Sequence, residues 1–205
     1  MNSFDAKAAD WDKEARRVAL AKAVASAIRR DIPLSKNFRA CEYGCGTGLL
    51  SFCLKDDIGE ILLADNSSGM LDVLNQKIKD HAVDNMKTLM LDLSTHEGPE
   101  AAFDLIYLQM ALHHIPDTGD VLLKFRRMLK PGGFLAIADL DSEDGSFHHG
   151  DFNGHNGFDR EALSNLLKES GYADVKIEEL CPFTKLNAHD VEQTYSIFFS
   201  SARAV

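Results

Sequence analysis

Three glycines fall within five residues in Glu42-Tyr43-Gly44-Cys45-Gly46-Thr47-Gly48, directly after an acidic residue. Glycine adopts positive φ without a side-chain clash and lets a bound molecule approach the backbone, so this segment is the first candidate for a ligand-cradling loop. The dinucleotide pattern G-x-G-x-x-G fails on both registers, because Leu49 and then Ser51 stand where its third glycine belongs. Asp65, seventeen residues beyond Gly48, is a carboxylate able to accept hydrogen bonds from both hydroxyls of a ribose. Two histidine groups follow. His113-His114 offers an imidazole as a base or orienting donor. His148-His149-Gly150-Asp151 with His155 resembles a transition-metal ligand set in type. Its ligands crowd one glycine-rich stretch with no helical i, i+4 pair to fix them, so no metal centre is expected there.

These residues need elements to hold them. Leu20, Val24, Ala27 and Ile28 recur at helical spacing within a helix expected from Asp10 to Arg30, ended by Ile32-Pro33. Strands are expected at 38–43, 61–64, 88–93, 103–108 and 134–139. Helices are expected at 49–54, after Ser67, at 117–129 and after Asp159, with Ser67 and Asp159 as N-caps. Lys130-Pro131-Gly132-Gly133 should break the chain sharply, and Gly171 should close the last helix. Late strands at 175–180 and 194–200 complete the pattern. Such alternation predicts an α/β fold, a mostly parallel doubly wound sheet with helices on both faces. Ligands then bind beyond the carboxyl ends of the strands, where their order reverses. That places Gly44 to Gly48, Asp65, Asp92, Gln109 and Asp139 on the functional rim. The segment 139–158, rich in Asp, Gly and His, reads as a mobile lid over the site.

At 205 residues the chain has room for one ordinary domain. Its 22 Lys and Arg against 32 Asp and Glu leave a net charge of −10, which argues against direct nucleic-acid binding. No apolar run reaches the ~20 residues of a membrane span, and Met1 to Trp11 is too polar for a signal peptide. The cysteines (Cys41, Cys45, Cys53, Cys181) form no paired framework, so reduced thiols and a cytoplasmic location are expected.

From Phe38 onward the chain resembles the class I S-adenosylmethionine-dependent methyltransferases. The likeness rests on Glu42 to Gly48, on Asp65, on Met90-Leu91-Asp92-Leu93, on Phe103-Asp104-Leu105-Ile106 leading to Leu112-His113-His114-Ile115, and on Leu129-Lys130-Pro131-Gly132-Gly133. It implies a Rossmann-like seven-stranded sheet, a helical lid over residues 1–36 and S-adenosylmethionine as cofactor, leaving as S-adenosylhomocysteine. It also implies that Glu42, Gly44, Cys45, Gly46, Asp65, Asn66, Met70, Asp92, Leu93 and Gln109 bind the cofactor, although Met70 on an apolar helix face also suits the core. Trp11, His113, His114, His149, Asp151 and His155 are the implied substrate contacts. No catalytic residue is assigned, because an activated donor needs alignment and dryness more than a base. The expected activity is methyl transfer to a small molecule. The alternatives are a tRNA or protein acceptor taken with a partner, a non-catalytic S-adenosylmethionine-binding module and, disfavoured by Leu49, a nicotinamide-dependent oxidoreductase. The oligomeric state is left open.

Overall fold

The computed structural model describes residues 4–150 and 152–205. In chain order the elements are a 3-10 segment Asp5–Lys13, α1 (Ala15–Asp31), β1 (Arg39–Tyr43), α2 (Leu49–Leu54), β2 (Glu60–Asp65), α3 (Ser68–Asp80) and β3 (Met86–Met90). Then come β4 (Phe103–Gln109), a 3-10 turn Leu112–His114, α4 (Thr118–Met128), β5 (Leu129–Leu140), α5 (Arg160–Glu169), β6 (Tyr172–Leu186) and β7 (Glu192–Ala204). One seven-stranded sheet has the order β3-β2-β1-β4-β5-β7-β6, with β1 to β5 parallel and β7 antiparallel to both neighbours. The order reverses between β1 and β4, and there the crossovers leave for opposite faces. Alternate residues of β4 show it: Leu105 and Tyr107 pack with α1, α2 and α3, whereas Ile106 and Leu108 pack with α4 and α5. No helix among the described residues is long and apolar enough to cross a membrane.

The local signals behave as chemistry requires. Ser67 Oγ accepts from Met70 N at 3.2 Å, and Asp159 Oδ1 accepts from Ala162 N at 2.8 Å, so both N-caps form. Three expectations need correction. The expected Asp10–Arg30 helix is two pieces, broken at Glu14, whose ψ is 107°. Long-range contacts outweigh helix propensity there: Asp12 accepts from Thr47 Oγ1 at 2.5 Å and from Lys77 Nζ at 2.6 Å. The late strands run far past 175–180 and 194–200, because the distal hairpin buries Phe183 and Tyr195 against Phe147. The third concerns the 139–158 segment, whose polar composition suggests too little apolar surface for packing of its own. It buries Ser146 and Phe147, bridges Asp141 to Phe158, and is tied by His155 N to His113 O at 2.8 Å. Asp151 lies outside the described residues.

Candidate active site

The strand ends at the β1–β4 reversal open into a cavity of about 730 Å³. Its floor is the glycine loop. Gly44 and Gly46 take φ of +67° and +51°, and Gly46 N donates to Asp65 Oδ2 at 2.7 Å. Asp65 Oδ1 accepts from Ser67 N at 2.8 Å. The Asp65 carboxylate therefore braces the loop and the α3 entry, a task beyond the ribose contact expected of it. Burial raises its pKa against these donors and the Asn66 N–H, and the carboxylate keeps acceptor capacity for a ligand. Cys45, Asn66, Met70, Asp92 and Gln109 also line the cavity. Met70 combines both expectations, being 2% exposed and on the wall. Asp92 accepts from Ser94 N and Oγ and from Asn66; the Ser94 hydroxyl does most to hold its carboxyl below the usual range. Leu93 departs from expectation. It is fully buried beneath α4, with its N–H donating to Tyr43 OH and its carbonyl accepting from Lys124, so its side chain packs core instead of a ligand ring.

Glu42 is on the wall too, 3% exposed, accepting from Ser51 N and Ser51 Oγ; Ser51 Oγ also lies 2.5 Å from Tyr107 OH. Burial pushes its carboxyl up to about 8, with the Ser51 donors pulling the other way. The folded chain thus holds a proton on Glu42 that the unfolded chain releases near 4.5. Its contribution to stability is full below the unfolded value and is lost as pH rises through about 8. We expect the melting temperature to fall between pH 5 and 8.5, and Glu42→Gln, which keeps an acceptor for Ser51, to flatten that fall. Calorimetric melts across that range check it, and identical slopes for the two proteins would refute it.

The N-terminal segment straps over the loop. Asp5 Oδ1 accepts from Ser67 Oγ at 2.6 Å and Gly69 N at 3.0 Å, alongside the Asp12 bonds to Thr47 and Lys77. Trp11 is held under the Arg17 guanidinium at 3.6 Å, and a Cβ on Gly46 would lie 4.0 Å from its Nε1. The tryptophan is thus both anchored and over the floor.

Beyond the strap lies a histidine and phenylalanine wall. His113 is 1% exposed; its Nδ1 is 2.5 Å from Asp139 Oδ1, and Asp139 is wholly buried. Asp139 also accepts from Leu112 N, His113 N and Leu140 N. Burial alone would raise the Asp139 pKa, but the His113 imidazole and these donors outweigh it and hold it low. His114 and His148 complete the group, each pushed down to about 3, first by burial and then by neighbouring His113. His148 stacks on Phe152 at 3.7 Å. His149 also faces the cavity. His155 does not join its lining: its Nε2 is bonded at Thr118 Oγ1, Ile115 O and Pro116 O, which fastens the segment. Sequence reasoning passed over Phe147, Phe152, Phe183, Lys7, Arg16 and Lys185, all on the cavity wall. A phenylalanine amid the polar 139–158 stretch was the available signal; nothing local marked the hairpin residues.

Residues 41–137 match the family model of a methyltransferase domain. That segment is a methyltransferase domain, and the fold is that of the class I S-adenosylmethionine-dependent enzymes. A Schizosaccharomyces pombe uncharacterised methyltransferase is 32% identical over 152 residues, covering 66% of this chain and 54% of that protein. A demethylmenaquinone methyltransferase of Geobacillus kaustophilus is 30% identical over 109 residues, covering 52% of this chain and 47% of the relative. The chain thus spans about half the length of these relatives. Among solved structures, a chain of the complex between the Haloferax volcanii Trm112 methyltransferase activator and a candidate methyltransferase superposes with TM-score 0.80 at 16% identity, covering 100% of this chain and 98% of that one. Such methyltransferases use S-adenosylmethionine, and most of the residues expected to bind it line this one cavity.

Proposed function

We propose that this protein transfers the methyl group of S-adenosylmethionine to a small molecule with an apolar or aromatic body and an anionic or proton-bearing head. The observation that carries this is the make-up of the histidine and phenylalanine wall; we read the floor and strap as the donor end and this wall as the acceptor end. Phe4, Phe147, Phe152 and Phe183 wall it, and Lys7, Arg16 and Lys185 face it in a chain of net charge −10. Burial first, then Arg16, Lys7 and Arg17, hold Lys185 below the ordinary amine range, and its ammonium donates to Phe147 O beside the cavity. In the reaction the acceptor's lone pair attacks the methyl carbon, and the breaking C–S bond leaves its electrons on sulfur, giving a neutral thioether. The enclosed, aromatic wall keeps water from that carbon, and the glycine loop and strap hold the donor in line. One relative's name, demethylmenaquinone methyltransferase, supports a small-molecule acceptor. Free Cys41, Cys45, Cys53 and Cys181 support a reducing, cytoplasmic setting.

Incubation with labelled donor and a panel of acidic phenols, neutral phenols, bulk tRNA and protein tests this reading. We expect label in the acidic small molecules, reduced at least tenfold by Lys185→Gln; label only in tRNA or protein would overturn it. A second reading, methylation with a partner subunit, is favoured by the sheet's edge strand β3, which exposes Leu89 and Met90, and by the likeness to a chain from an activator complex. Activity of the isolated chain would exclude it.

A further inference from the structure

We propose that His113, His114 and His148 form a three-imidazole site for a first-row transition-metal ion, zinc by preference, at the acceptor end of the cavity. This departs from the absence of metal that the sequence suggested, and the trio differs from the loop cluster weighed there, sharing only His148 with it. One ring nitrogen from each of the three lies within 4.8 Å of the others. The ring centroids are 4.1, 5.1 and 5.0 Å apart, so the three form a compact triangle spanning the Leu112–His114 turn and the segment after β5.

Three features point to a ligand. Nε2 of His113 and Nε2 of His148 are buried without a hydrogen-bond partner, although a buried polar atom ordinarily has one. His113 meets Asp139 through Nδ1 at 2.5 Å, which leaves its Nε2 lone pair for an ion; a carboxylate behind a ligating imidazole is the usual second-sphere support. All three rings also face the cavity, so a fourth coordination position opens toward an acceptor. Imidazole donors suit zinc, copper, nickel and iron, and do not suit magnesium or calcium. Zinc–nitrogen bonds of about 2.0–2.1 Å require tetrahedral nitrogens about 3.4 Å apart. The trio must therefore tighten, with His148, stacked on Phe152 in the segment after β5, closing on the other two, which sit on the turn after β4.

Such an ion would bind an acceptor hydroxyl or thiol, whose proton passes to solvent; the remaining lone pair then attacks the methyl carbon. The site stands whether or not the acceptor is the one proposed above, because metal uptake is measured without turnover. The test uses the full chain without added histidines, stripped by chelator and titrated with Co2+ and Zn2+. We expect one equivalent of Co2+ to bind with visible d–d bands and no thiolate charge-transfer band. His148→Ala and His114→Ala should each weaken uptake at least tenfold, while His149→Ala leaves it intact. Zn2+ should raise the melting temperature of the parent chain and not that of His148→Ala. Should His148→Ala fold poorly, His148→Gln takes its place in the same titration. No uptake at micromolar Co2+, or uptake undiminished in the folded His148 and His114 variants, would overturn the proposal.

Discussion

Gly46→Val should weaken S-adenosylhomocysteine binding more than a hundredfold while the chain still folds. The space beside Gly46 explains both halves. A Cβ there would meet Met70 Sδ at 3.9 Å and Trp11 Nε1 at 4.0 Å, ordinary van der Waals contact, so the protein has room for it. The valine branches would fill the floor of the cavity between those two residues, where the donor is expected to lie. The φ of +51° adds strain of about 1–3 kcal/mol, since a β-branched residue resists the left-handed region. Gly44 makes the contrast. A Cβ there would stand 2.6 Å from Ala111 Cβ, so Gly44→Val should damage folding as well as binding. Calorimetric titration of Gly46→Val, paired with a thermal melt, decides the matter, with Gly46→Ala as the milder variant should valine unfold the chain. A folded variant of either kind with parental affinity would show that the donor does not rest on this loop.

Asp139→Ala should be the most destabilising single change near the site, costing about 3–5 kcal/mol, the range for removing one partner of a buried pair. Asp139 is wholly buried, and its loss would strand the N–H groups of Leu112, His113 and Leu140 together with His113 Nδ1. For a chain of this length that corresponds to a fall of roughly 6–20 °C in melting temperature. Asp139→Asn should cost less, because its amide oxygen still accepts from part of the set. Urea unfolding of the two variants beside the parent measures this directly. A loss below about 1 kcal/mol for the alanine variant would mean that the turn after β4 is held by other contacts.

How much of this was legible depends on the range of the interaction. The glycine spacing, the Ser67 and Asp159 caps and the alternation of apolar runs act over a few residues, and each is an energetic preference written into neighbouring side chains. They were enough for the class of fold and the glycine loop, since a right-handed crossover leaves parallel strands few ways to be ordered. Asp65 was legible as a site residue but not as a brace, because its bond to Gly46 spans 19 residues and forms only once β1 and β2 pair. Leu93 and His155 misled for a related reason: a motif specifies position along the chain, and packing decides which way a side chain turns.

The histidine and phenylalanine wall was the least legible part. His113 and Asp139 stand 26 residues apart and meet because β4 and β5 are neighbours at their carboxyl ends. Phe183 and Lys185 arrive on a hairpin whose extra length depends on Phe147 filling its underside. The strap reaches the floor through Asp5 and Asp12, whose partners lie on α3 and the glycine loop. Sequence alone carried the sheet, the crossovers and the glycine loop, because local propensity and periodicity encode them. The imidazole cluster, the buried carboxylates and the aromatic wall came only from tertiary structure, because desolvation and long-range pairing exist only after the chain has closed on itself.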